Sequence, residues 1–163
     1  MRILGIDPGI GRTGWGVIDI RGAMFTTCGY GCIETIPNDE LSNRLFALHD
    51  EIANIIDEYL PEEMSIEDLF FNTNAKTALI VGQARGVVLL AAAQKKLPIF
   101  VYTPLQVKIS LTGYGRAEKN QIGVMVKTLL KLPAIPKPDD TADALAIALT
   151  HGFSRKMKLH KAK

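Results

Sequence analysis

The sequence predicts an α/β domain built on one five-stranded mixed sheet, led by a three-stranded antiparallel meander and flanked by helices. Three observations carry this reading. The first 34 residues contain three runs rich in β-branched and aromatic residues, separated by short glycine-containing turns. Beyond residue 40, stretches with apolar residues at helical spacing alternate with the short apolar runs "MSIEDLF" and "PIFVYTP". At 163 residues there is room for one such domain and not for two large ones.

"RILGID", residues 2–7, reads as a buried strand and "WGVIDI", Trp15 to Ile20, as a second. Arg21 and Gly22 turn into a third, Met24 to Glu34. Leu41, Leu45, Leu48, Ile52, Ile56 and Tyr59 then fall on one helical face, giving an amphipathic helix that ends near Pro61. "MSIEDLF" is the fourth strand. Residues 75–96 form a helix apolar nearly all round, with small residues at Gly82, Ala84 and Gly86. Such a helix needs cover on two sides, for example the sheet on one and a second subunit on the other. Pro98 to Pro104 is the fifth strand, and helices follow at about 104–111, 117–131 and 140–153. The domain spans 1–154, with a flexible basic tail over 155–163.

The composition, 47% hydrophobic and 22% charged, is that of an ordinary globular protein. The longest apolar stretch, "ALIVGQARGVVLLAAA", is broken by Gln83 and Arg85, and "MRILGIDPG" lacks the long apolar region of a signal peptide, so a cytoplasmic protein is expected. Cys28 and Cys32 read as reduced, small apolar side chains, because His49, His151 and His160 offer no zinc-finger spacing. The net charge of +2 hides an asymmetry: five basic residues and no acid follow His151, leaving −3 for the rest. A basic arm of this kind suits nucleic acid or a solvated end equally well.

"LGIDPGIGRTG" contains G-x-G-x-x-G at Gly9, Gly11 and Gly14. A dinucleotide loop requires a helix after the glycines, and here a strand follows. The glycines therefore read as turn residues that permit positive φ. Asp7, a carboxylate ending an apolar central strand, is the odd residue. A second odd place is "PKPDDTADALAIALTH". Acids in the first turn of a helix meet its dipole favourably, which explains one or two of them. Asp140, Asp143, Ala144, Ile147 and His151 nevertheless share one face, and Asp139 is an equally spaced rival to Asp140. His151 reads as helix-end structure. On the fourth strand, Glu67 and Asp68 point to opposite faces, and periodicity does not choose between them. If such acids converge, their repulsion opposes folding unless cations neutralise it. An all-oxygen donor set favours Mg²⁺ or Mn²⁺, and two ions about 3.5–4 Å apart would clamp a phosphodiester in line.

"GIDPG", "TGWGV", "SIEDLFFNTN", "GQARGV", "YTPLQVK", "GYGRAEKNQ", "MVKTLLKLP" and "DDTADALAIALTH" together resemble the RuvC family of Holliday-junction resolvases, from about residue 2 to 153. The resemblance implies a ribonuclease-H-like fold. It also implies a homodimer that cuts two opposing strands of a four-way DNA junction symmetrically, leaving 5′-phosphate and 3′-hydroxyl ends for recombination and repair. By the family's pattern the catalytic and metal-holding acids are Asp7, Glu67, Asp140 and Asp143, carrying two Mg²⁺ per subunit with Mn²⁺ as a substitute, and Asp68 and Asp139 are neighbours. Lys108 and Lys119 match DNA-contacting positions, Arg116 is an added contact, and Phe70 stacks near the junction centre while Phe71 packs internally. RuvA and RuvB are implied as the branch-migration partners. The rival readings are a sugar-kinase or actin-like ATPase, which needs a second lobe, a YqgF-type RNA-processing nuclease, and a non-catalytic junction-binding module.

Overall fold

The computed structural model describes residues 1–68 and 75–161, with side chains at 1–68 and 78–155. Strand β1 (Arg2–Asp7) takes the middle of a five-stranded sheet, where Ile3, Leu4 and Ile6 are wholly buried. An apolar strand with no solvated face needs helices on both sides. β2 (Arg12–Arg21) and β3 (Met24–Glu34) continue from it as an antiparallel meander, while β4 (Glu63–Glu67) and β5 (Ile99–Tyr102) add in parallel on the other side, giving the order β3-β2-β1-β4-β5.

The two-residue period of β1 divides the core. Leu4 and Ile6 join the cluster under α1 (Leu41–Tyr59) and α2 (Ala75–Gln94). Ile3 joins the cluster under α3 (Pro104–Thr112), α4 (Lys119–Leu130) and α5 (Asp139–Lys161). By the same alternation Gly5 and Asp7 face α5. On β4, Met64 and Ile66 pack toward α1 and α2, so Glu63, Ser65 and Glu67 look toward α5.

The elements follow the sequence pattern closely. β2 starts earlier than Trp15, because Arg12, Thr13 and Gly14 already pair with Glu34, Ile33 and Cys32. β4 begins at Glu63 and ends at Glu67, Asp68 already lying outside it, and Leu69 and Phe70 lie outside the described residues. α5 does not stop near residue 153: it continues to Lys161, through the segment read as a free basic tail, and Arg155 within that extension bonds Glu63. Among the described residues no helix is long and apolar enough to cross a membrane.

The glycines of "LGIDPGIGRTG" need correction. Positive φ occurs at Gly22 and Gly113, and not at Gly9, Gly11 or Gly14. What Gly14 provides is space: a Cβ there would lie 1.9 Å from the carbonyl oxygen of Asp140, and one on Gly5 would lie 2.2 Å from that of Ala144. These two glycines let α5 lie almost on the backbone of β1 and β2. Gly14 is also the Cα partner of Asp7.

Candidate active site

Three separate stretches of chain deliver acids to one end of the sheet. Ile6 and Ile66 are paired in register, so Asp7 and Glu67 leave β1 and β4 side by side on the α5 face. α5 brings Asp140 and Asp143 over the same place through its close seat on Gly14. The crowding shows in the protonation. Burial first, then the charges of Glu67, Asp143 and Asp140, push Asp7 up to about 8, against the pull of Lys119. Burial also lifts Glu67, with Asp143 adding to it, although a hydrogen bond from Asp7 works the other way. Asp143 is raised by burial in spite of its bond to Lys119.

Lys119 opens α4, whose first turn is fixed by the Glu118 amide donating to Gln121 Oε1 at 2.8 Å. Its Nζ stands 2.8 Å from Asp143 and 4.0 Å from Asp139. Burial alone would lower this ammonium, but the bond and charge of Asp143, then Asp139 and Asp7, hold it above its ordinary value. The neighbouring cleft, about 250 Å³, is lined by Glu67, Asp143, Lys119 and Lys108 among others. Lys108 is presented by α3, which starts at a reciprocal cap: Gln106 N donates to Thr103 Oγ1 at 3.2 Å, and Thr103 N to Gln106 Oε1 at 2.8 Å. Neither half-buried Lys108 nor exposed Arg116 forms an ion pair with any described carboxylate.

The two ambiguities left by periodicity are decided by geometry. Asp68 turns to the opposite face, 3.9 Å from Arg85 of α2, while Glu67 joins Asp7. Asp139 turns outward to Lys137 at 2.6 Å, which holds its carboxyl below the usual range. Phe70 and Phe71 lie outside the described residues. His151 is not helix-end structure: it is 1% exposed, well inside α5, and bonded to Glu63 and Tyr102. The sequence signal that pointed there is the alternation Glu63-Ser65-Glu67 on one face of an otherwise apolar strand.

Among the described residues, no three His, Cys, Asp or Glu side chains already stand in coordinating positions, Asp143 being turned to Lys119. The donor set is nevertheless the right kind for hard cations: only carboxylate oxygens, destabilised by one another, with one ammonium drawn in among them.

The family model for the crossover junction endodeoxyribonuclease RuvC matches residues 3–151. The crossover junction endodeoxyribonuclease RuvC of Ruminiclostridium cellulolyticum is 54% identical over 157 residues, covering 96% of this chain and 95% of that one. Its counterpart in Desulforamulus reducens is 56% identical, over 93% of each chain. The structure of Thermus thermophilus RuvC in complex with a Holliday junction substrate superposes with a TM-score of 0.93 at 36% identity, over 97% of this chain and 96% of that one. This chain belongs to the RuvC family.

The fold is accordingly ribonuclease-H-like, and the chain is a crossover junction endodeoxyribonuclease of the RuvC type. RuvC membership displaces the ATPase, YqgF-type and purely binding alternatives, since the match runs through every strand and into α5 as far as His151. RuvC enzymes are metal-dependent nucleases, in keeping with the acid-rich cleft between β1, β4 and α5.

Proposed function

We propose that this nuclease resolves Holliday junctions by hydrolysing two opposing strands symmetrically, and that Asp7, Glu67, Asp140 and Asp143 are its catalytic and metal-holding residues. The observation that carries the assignment is the convergence of four acids from three distant stretches onto one cleft, at a cost in mutual repulsion that bound cations would relieve. These acids would hold two Mg²⁺ per subunit, with Mn²⁺ as a substitute. Bound there, the ions would supply Lewis-acid activation of water and neutralise charge on the scissile phosphate.

The rest of the work falls to the chain's own groups. Lys119, already at the carboxylates, is placed to support a phosphate oxygen as charge develops, and Lys108 of the cleft and exposed Arg116, neither in an ion pair among the described residues, would bring positive charge to the DNA backbone. Phe70 stacks on a base at the junction centre. Cutting two strands together requires two sites. The exposed Leu79 and Leu90 of α2, 65% and 53% accessible, suit the interface of a homodimer. The nicks carry 5′-phosphate and 3′-hydroxyl ends, and RuvA and RuvB move the branch point in the cytoplasm.

The test is cleavage of a synthetic mobile four-way junction in Mg²⁺ and in EDTA, with duplex and RNA/DNA hybrid controls. The wild-type protein should cut only the junction and only with metal. Asp7→Asn should bind the junction yet cut it at least about 100-fold more slowly. Asp7→Asn cutting at the normal rate would refute the assignment.

A further inference from the structure

Two turns beyond Asp143, roughly 12 Å along α5, the helix is tied to the sheet by a second polar cluster that the cleavage chemistry leaves unused. His151 Nε2 lies 2.6 Å from Glu63 Oε2, and its Nδ1 lies 2.7 Å from the Tyr102 hydroxyl. Arg155 bonds the other oxygen of Glu63 and sets its guanidinium 5.8 Å from the centre of the Phe100 ring, which stacks on the imidazole at 4.3 Å. The pairing suits an imidazole whose Nε2–H donates to the Glu63 carboxylate and whose Nδ1 accepts from the Tyr102 hydroxyl.

Stability alone does not explain such a cluster. A buried ionic network is often matched or exceeded by apolar residues of the same volume. Geometry gives a better reason. At Gly5 and Gly14, what meets the sheet is α5 main chain and the methyl group of Ala148, with no large side chain keyed between them. Leu145 fills the notch over Gly16, and Phe25 and Ile20 lie against Gly152, but these contacts too are apolar and non-directional, so they set how closely the helix approaches and leave a directional tie to define its axial setting. A slide of 1 Å would carry Asp140 and Asp143 by the same amount relative to Asp7 and Glu67, which ride on the sheet.

The second cluster is tied to those same strands. Glu63 is on the Glu67 face of β4, and Tyr102 is the direct partner of Glu67 in the β4–β5 register. We propose that Glu63, His151 and Tyr102, braced by Arg155, form a positioning clamp. It fixes the axial setting of α5, and so the spacing between the helix carboxylates and the strand carboxylates. The clamp acts through Asp140 and Asp143, and the inference rests on reading the four acids as the metal-holding set.

The experiment uses the full chain as wild type, Tyr102→Phe, His151→Ala and His151→Gln. It measures Mn²⁺ binding without DNA by calorimetry, then kcat, KM for the junction, metal half-saturation and thermal unfolding. Tyr102→Phe removes one hydroxyl from an otherwise unchanged ring. It should weaken Mn²⁺ binding and raise metal half-saturation roughly tenfold, as losing a partner behind metal ligands commonly does, while KM for the junction stays within about twofold. His151→Ala should do more. His151→Gln, which keeps a donor for Glu63 and an acceptor for Tyr102, should recover most of the loss. If Tyr102→Phe binds Mn²⁺ and turns over as wild type does, even with a lower Tm, the cluster only stabilises the fold and the clamp is refuted, whether or not His151→Ala folds. A wild-type protein that cuts without metal would instead overturn the reading of the four acids, and the clamp with it.

Discussion

Replacing Gly14 with alanine should cripple cleavage without altering a single charge. The new Cβ would lie 1.9 Å from the Asp140 carbonyl oxygen and 2.3 Å from its carbon, where real Cβ contacts stay beyond about 3.0 Å. The strand and helix must therefore part by about 1.1 Å, since both contacts are main chain and cannot rotate away. Gly14 pairs with Asp7, so the displacement opens directly between Asp7 and Asp140. A misplacement near 1 Å costs about 100-fold in rate, and overpacking strain of this kind costs about 1–3 kcal/mol of stability. The assay is single-turnover junction cleavage at saturating enzyme and metal, well below the Tm of either protein, with junction affinity measured separately in EDTA. Gly11→Ala is the control, because its Cβ would find nothing nearer than Arg44 Nη2 at 3.9 Å and should change the rate about twofold at most. Gly14→Ala cutting within about threefold of wild type, with an unchanged Tm, would sink the reasoning.

Three other outcomes are expected. Without metal, folded Asp7 keeps a proton up to about pH 8 that the unfolded chain loses above 3.8. Stability should therefore fall as pH rises through that window, with Glu67 and Asp143, also raised by burial, acting in the same sense. In EDTA the Tm should be lower at about pH 8 than at about pH 5, and Asp7→Asn should flatten the difference; a Tm that climbs over this range counts against the assignment. Lys119→Ala removes the 2.8 Å partner of Asp143 and, on the proposed reading, a phosphate contact. Cleavage should fall about 100-fold and the salt slope of junction binding by about one, and an unchanged slope would exclude the phosphate contact. Thr103→Ala breaks the cap that starts α3 and should cost about 1 kcal/mol in urea unfolding, so an unaltered midpoint would show the cap to be idle.

The sheet and its helices were legible because each element carries its own period, two for the strands and 3.6 for the helices. The strand acids were half legible. Alternation says that Glu67 and Asp68 part ways, but which face meets α5 depends on Met64 and Ile66 taking the other side, a fact of packing. Asp139 and Asp140 are one residue apart on a helix, and only the position of Lys137 shows that Asp139 faces outward. The glycines misled for a related reason. Turn chemistry is local, whereas Gly14 is small because of a helix that comes 126 residues later. His151 was obscured likewise: its partners Glu63 and Tyr102 are 88 and 49 residues away.

The placement of α5 has a further consequence. It follows all five described strands in chain order, yet it covers β1, β2 and β4 and carries Asp140 and Asp143. A growing chain emerges from the ribosome with Asp7 and Glu67 already made and nothing to complete them. Until α5 is made the four acids cannot be brought together, so on the proposed assignment a chain stopped before Asp140 cannot assemble the cutting site.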